Sequence, residues 1–165
     1  GYHLTPIKSL SQKGQFAAKE KVTIKVPQGE LKNVRILGPE RKNTQVEISK
    51  TEAYKLKINP SIRECTLPGR IGGCVRCKIV GPKGEVSRCA IIIAHRHIHI
   101  DPKTAKKLNL KDNQLISVKT KGPRSVTFHN VLVRVDKDFI FRMHIDTDEA
   151  NAAGLVGGEK GEIVI

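Results

Sequence analysis

Chemistry in this chain is most visible at three histidines set at every second position, His95, His97 and His99, within Ala94-His95-Arg96-His97-Ile98-His99-Ile100. They follow the apolar run Ala90-Ile91-Ile92-Ile93. In an extended strand residues i and i+2 face the same way, so the imidazoles form one row. Imidazole is a common transition-metal ligand, and such a row suits a metal site. Neighbours in the row lie about 6.7 Å apart along the strand and can share an ion; i and i+4 lie about 13 Å apart and cannot unless the strand bends. One pair therefore binds and one histidine is surplus. The plain alternative is the solvated face of an edge strand.

The elements that must position this row read as strands. Val22, Ile24 and Val26 alternate with polar residues, and a turn at Pro27-Gln28-Gly29-Glu30 leads into Leu31–Leu37, closed by Gly38-Pro39. Thr44–Ile48 alternates again, and a hairpin joins Gly72–Val80 to Glu85–Ile93. Gln114–Thr120, Ser125–Phe128, Val131–Val135 and Phe139–Ile145 continue the style, whereas residues 1–20 look irregular. The pattern predicts a mainly β fold of barrels with little helix.

The helices repeat. Val46–Ala53, Ile98–Ala105 and Met143–Ala150 each read as a strand end, an Ile, a Ser or Asp N-cap and one short helix. Pro102 suits the first helical position of the middle copy. The recurrence predicts a duplicated barrel-and-helix unit, residues 1–93 and 94–165. Aligned on their caps, the copies put Glu47, His99 and His144 at one equivalent position. His97 with His99 becomes the better metal pair, His144 a third ligand, and His95 the surplus one.

Lys plus Arg is 30 against 16 acidic residues, a net charge of +14, which predicts a polyanionic partner: nucleic acid, or a phosphate-rich cofactor. Aromatic residues are only 4% and Trp is absent, so a core must come from Ile, Val, Leu and Ala. With no signal peptide or bilayer-length apolar run, the expectation is a soluble intracellular protein with no membrane partner. Cys65, Cys74, Cys77 and Cys89 then read as thiols or ligands rather than a disulfide framework. Cys74-Val75-Arg76-Cys77 suits a zinc knuckle or redox pair, yet one CxxC makes ordinary thiols the better expectation. After Pro60, Arg63 suits an anion and Glu64 a metal, with a surface ion pair as the plain alternative.

Leu4-Thr5-Pro6-Ile7, Ser11–Glu20 (SQKGQFAAKE), Val34–Pro39 (VRILGP), Gln45–Ser49 (QVEIS), Arg63-Glu64, Arg96–Ile100 (RHIHI) and Met143–Gly154 (MHIDTDEANAAG) stand in that order. Together they closely resemble the PduL-type phosphotransacylases, the phosphate propanoyltransferases, over nearly the full length. The resemblance implies two small β-barrels of similar topology capped by short helices, and a zinc-dependent active site. It implies interconversion of acyl-CoA (propanoyl- or acetyl-CoA) plus phosphate with acyl phosphate plus CoA, and a homodimer. The family's histidine pair matches His97 and His99 and its later histidine matches His144. Glu64 matches its metal-binding acid, although the Ser-Gly-Asp that usually follows reads Cys65-Thr66-Leu67, and Arg63 matches its phosphate-binding arginine. The first barrel, with Gln15 and Arg35, would take CoA.

Two departures stand out. The family opens with an Asn-Arg-His-x-His segment that supplies two ligands to a second zinc and a strand to the C-terminal barrel, and this chain begins after that point. The expectation is therefore one metal site short of ligands, two zinc ions belonging to the complete protein. The family's packaging peptide is missing as well, which leaves both the cytoplasm and a bacterial microcompartment open. No Ser or Cys has a clear adjacent base in the sequence, which favours direct transfer over an acyl-enzyme. The rivals are a basic β-barrel that binds nucleic acid and an inactive fragment of the acyltransferase. The first is weakened because four Phe and two Tyr make a thin stacking platform.

Overall fold

The computed structural model describes residues 2–60, the strand Ile62–Arg63 and residues 74–164. The chain divides into two compact units, Gly1–Ala94 and His95–Ile165, and each is built on one sheet.

The first unit contains β1 (Pro6–Ser9), β2 (Phe16–Val26), β3 (Gly29–Gly38), β4 (Val46–Glu47), α1 (Lys50–Lys55), β5 (Ile62–Arg63), β6 (Val75–Gly81) and β7 (Gly84–Ala94). The sheet runs β1-β2-β6-β7-β4, with β3 on β2 and β5 on β7. Period-2 alternation explains which way β2 faces: Ala18, Ile24 and Val26 are buried while Lys19, Lys21 and Lys25 are exposed. Ile24 and Val26 join Val46, Ile48, Leu56, Ile91 and Ile93 in one aliphatic core. Some of the lysines outside are already neutralised, Lys25 by Glu30 at 3.6 Å and Lys78 by Glu85 at 2.7 Å. β4 and β5 both run parallel to β7, so that Arg63 pairs with Ala94. Gly38 faces Phe16 across the β2–β3 ladder, where a Cβ would land on the aromatic ring.

The second unit contains β8 (His97–Ile100), α2 (Pro102–Lys107), β9 (Leu115–Lys119), β10 (Thr127–Val135), β11 (Arg142–His144), α3 (Thr147–Ala153) and β12 (Glu162–Val164). Its sheet order is β11-β8-β10-β9-β12, with β8 parallel to β10 and the other pairs antiparallel. Ile98, Ile100, Ile116, Val118, Val131 and Val133 form its core. Burying each such side chain stabilises the unit by about 1.5–3 kcal/mol. Among the described residues no pairing joins the two ends of either sheet.

The three short helices are built alike. Ser49, Asp101 and Asp146 accept hydrogen bonds from the backbone N–H of Glu52, Thr104 and Glu149, three residues on in each case. Ser49 and Asp146 complete capping boxes with Glu52 and Glu149, and Pro102 opens α2. Eight residues after each cap the chain turns left-handed, at Lys57 (φ 52), Asn109 (φ 53) and Gly154 (φ 66). The next N–H then reaches back to the carbonyl of Ala53, Ala105 or Ala150, the bond that closes a Schellman ending.

Several sequence expectations need correction. Residues 1–20 hold β1 and the start of β2; β1 is exposed throughout, so no alternation advertises it. Thr44–Ile48 contributes only Val46–Glu47 to the sheet. The runs at 125–128 and 131–135 are one strand with a register shift between Phe128 and Val131, where Asn130 takes a left-handed conformation (φ 55) that Asn tolerates. β11 is confined to Arg142–His144, the middle of the expected run Phe139–Ile145. The cysteines are not all thiols: Cys74 and Cys89 form a disulfide, their Cα atoms brought to 5.5 Å by the antiparallel β6–β7 pair. Cys77 is free and buried, and burial pushes its thiol pKa up. Cys65 lies outside the described residues.

Candidate metal centre

β8 is buried along its whole length, with Ile98 and Ile100 in the core. Alternation turns His97 and His99 to the other face. β11 runs antiparallel to β8 with His144 opposite His97 and Met143 opposite Ile98. Directly opposed residues share a face, so Met143 packs on the core and His144 joins the two histidines. The three rings have centroids 4.6 Å (His97–His99), 5.0 Å (His97–His144) and 4.5 Å (His99–His144) apart. One ligand nitrogen from each lies within 4.8 Å of the others.

The donor chemistry fits a transition metal. Nδ1 of His97 is 2.8 Å from the backbone carbonyl of His95. A carbonyl only accepts, so Nδ1 carries the proton and the lone pair sits on Nε2. Burial first, and the neighbouring histidines and Arg134 next, push His99 down to about 3. Burial, His97, Arg142 and Arg134 push His144 down to about 4. Both imidazoles are thus neutral at pH 7, the state a metal ligand requires. Three protein nitrogens, rather than four ligands, is the donor count found in catalytic rather than structural zinc sites.

The surroundings were less legible in sequence. Phe139 stacks on His99 with centroids 3.9 Å apart, and the Arg134 guanidinium lies 5.8 Å from the centre of the Phe139 ring. Arg96, just before His97, forms an ion pair of 2.7 Å with Glu149 on α3. That contact ties the entry to β8 to the helix following His144. Burial pushes Glu149 up, with the α3 N-terminus and Arg96 opposing. The i, i+2 spacing of Arg142 and His144 was a signal within reach. No sequence signal gave Arg134, because the β8–β10 register is a tertiary fact.

The remaining expected residues fall elsewhere. His95 precedes β8, outside the set of nitrogens that could share an ion, and its Nδ1 lies 3.0 Å from the Arg96 carbonyl. Gln15 precedes β2 and accepts a hydrogen bond from Arg41 at 2.9 Å. Arg35 lies on β3 opposite Lys21 and donates to the Ala18 carbonyl at 2.6 Å. Arg63 is placed by its strand pairing with Ala94, three residues before His97 in the chain. The role expected of its side chain, and Glu64 altogether, lie outside the described residues.

A family model described as phosphate propanoyltransferase matches residues 1–156. The chain belongs to the phosphate propanoyltransferase family. With that it is a phosphate acyltransferase by family. Among curated relatives, a phosphate propanoyltransferase of Thermotoga maritima is 48% identical over 166 aligned residues, 99% of this chain and 78% of the relative. One of Clostridioides difficile is 44% identical over 165 residues, again 99% and 78%. One of Enterococcus faecalis is 42% identical, covering 99% of this chain and 77% of the relative. No helix among the described residues is long and apolar enough to cross a membrane.

Proposed function

We propose that this phosphate propanoyltransferase family member interconverts acyl-CoA plus phosphate with acyl phosphate plus CoA, using a zinc ion held by His97, His99 and His144. The observation that carries the proposal is the convergence of three imidazole nitrogens to within 4.8 Å on one sheet face of a chain of this family. When bound, zinc would supply a Lewis acid for the phosphate or the thioester carbonyl.

The chain's own residues do the rest. His97 is oriented by the His95 carbonyl, and the Arg96–Glu149 pair fixes the two ligand-bearing segments. Arg63 grips the phosphoryl dianion with two parallel N–H bonds. Arg35 and Gln15, with the basic side chains of the first unit, hold CoA. Glu64 contributes to a second zinc. The acyl group passes directly between CoA sulfur and phosphate oxygen. Ser117 Oγ and His129 Nδ1 are 2.8 Å apart. His129 has no carboxylate bonded to it among the described residues, so that pair lacks the third member of a triad. The resemblance further supports propanoyl- or acetyl-CoA as the acyl donor, two barrel-like units, a homodimer, and the cytoplasm or a microcompartment as the location.

The test pairs metal analysis with an assay of acyl phosphate formation and CoA release from propanoyl-CoA and phosphate, run on the wild type and on His99→Ala. Activity that tracks zinc and vanishes with His99 is expected. A zinc-free chain of full activity, or a covalent acyl-enzyme caught by mass spectrometry, would contradict the reading.

A further inference from the structure

The sheet face that carries the histidines also carries two guanidinium groups. Strand register sets Arg134 of β10 beside His99 and Arg142 of β11 on its other flank. Laterally paired residues share a face. Burial agrees for β10, because Val131 and Val133 enter the core while Leu132 and Arg134 alternate away from it. Across β10, β8 and β11, one row reads Leu132, His97, His144 and the next reads Arg134, His99, Arg142. Arg134 is half-buried, its guanidinium 5.8 Å from the centre of the Phe139 ring that stacks on His99. Among the described residues neither Arg134 nor Arg142 makes an ion pair, whereas Arg96 on the same unit is matched by Glu149. Two cations paired across the sheet with His99 add positive charge to this face, and a half-buried guanidinium without a carboxylate is best matched by an anion from solution.

We propose that Arg134 and Arg142 form an oxyanion clamp flanking His99, with Arg134 the principal arm, that binds the phosphate or acyl-phosphate group of the substrate. The clamp rests on the acyl-transfer reading above. Planar guanidinium groups present paired N–H donors to two phosphate oxygens, a geometry that lysine does not reproduce. Phe139 packs against Arg134 and limits where its head can go.

The test is equilibrium binding of inorganic phosphate to the zinc-supplemented chain, with zinc content measured on every sample. Arg134→Gln should weaken phosphate binding about 10- to 100-fold, as expected for losing a charge-assisted hydrogen bond, while zinc content holds. Arg134→Lys should recover part of the loss, and Arg142→Gln should cost a few-fold, about the effect of a more exposed charge. In turnover, the KM for phosphate should rise while that for propanoyl-CoA stays put. Wild-type phosphate affinity in zinc-replete Arg134→Gln would overturn the clamp and leave the acyltransferase reading standing. Loss of phosphate binding only in step with loss of zinc would also overturn it, since Arg134 would then merely support the fold. Arg134-dependent phosphate binding in a chain that takes up no zinc would support the clamp and sink the zinc reading.

Discussion

The segment around Ser49 in the first unit and the segment around Asp101 in the second share a backbone design and differ in chemistry. Each runs from a strand parallel to its neighbour through an N-cap into a six-residue helix with a left-handed exit. Two residues before the cap, the first carries Glu47, which is exposed, and the second carries His99, which is 3% exposed. The third copy, around Asp146, puts His144 at that place. The cap and helix are therefore scaffold, and the position two residues upstream is where two of the three copies place a histidine that could hold a metal. Burial separates that histidine from a surface charge: β4 is a two-residue strand, whereas all four residues of β8 are buried.

The comparison breaks most sharply under substitution at the shared position. His99→Ala should lower zinc affinity and acyl transfer by more than about 100-fold, beyond what loss of an outer-shell partner usually costs. Glu47→Ala should leave both within about twofold, as measured by metal titration and initial rates. Equal losses at the two positions would erase the distinction between scaffold and site.

The second prediction concerns the disulfide, which the first unit has and the second lacks. Cys74→Ser with Cys89→Ser should destabilise the chain by up to about 3 kcal/mol, the chain-entropy value for a loop of the observed separation of 15 residues. Thermal melts with and without reductant would report it. Zinc affinity at His97, His99 and His144 should not move. A melting temperature indifferent to reductant would contradict this.

A smaller effect is expected at the caps. Ser49→Ala, Asp101→Ala and Asp146→Ala should each cost about 1 kcal/mol in urea unfolding. Only the last two should also weaken zinc binding, because their helices follow His99 and His144 directly.

The pH dependence should divide the units as well. His99 and His144 are lowered to about 3 and about 4, while an unfolded histidine titrates near about 6.5. The unfolded chain therefore binds protons first as pH falls, so stability holds above about pH 6.5 and declines between about pH 6.5 and about 3. In the metal-free protein, His144→Gln should flatten that decline in urea midpoints. An unchanged slope would show that the imidazoles are not held neutral by burial.

Much of this comparison was legible in the sequence because it is local. Caps, Pro102 and the i, i+2 histidine spacing are set by a few neighbouring residues, and all three helices begin where the Ser and Asp residues place them. The resemblance named the family before any geometry was available. What stayed hidden was set by pairing between distant strands. The Cys74–Cys89 bond depends on the β6–β7 register, and the seat of Arg134 beside His99 depends on parallel pairing across more than thirty residues. Phe139 lies outside β11 because only Arg142–His144 of the run Phe139–Ile145 pairs with β8. β1 was missed because a strand exposed on both faces leaves no hydrophobic period to read.

The central claim is that His97, His99 and His144 hold a zinc ion on which acyl transfer depends, and zinc stoichiometry of the wild type against His99→Ala tests it most directly. With folding verified by circular dichroism, the account predicts that the variant binds one equivalent fewer and loses activity in proportion. A folded His99→Ala chain that keeps the wild-type zinc content and affinity would contradict it.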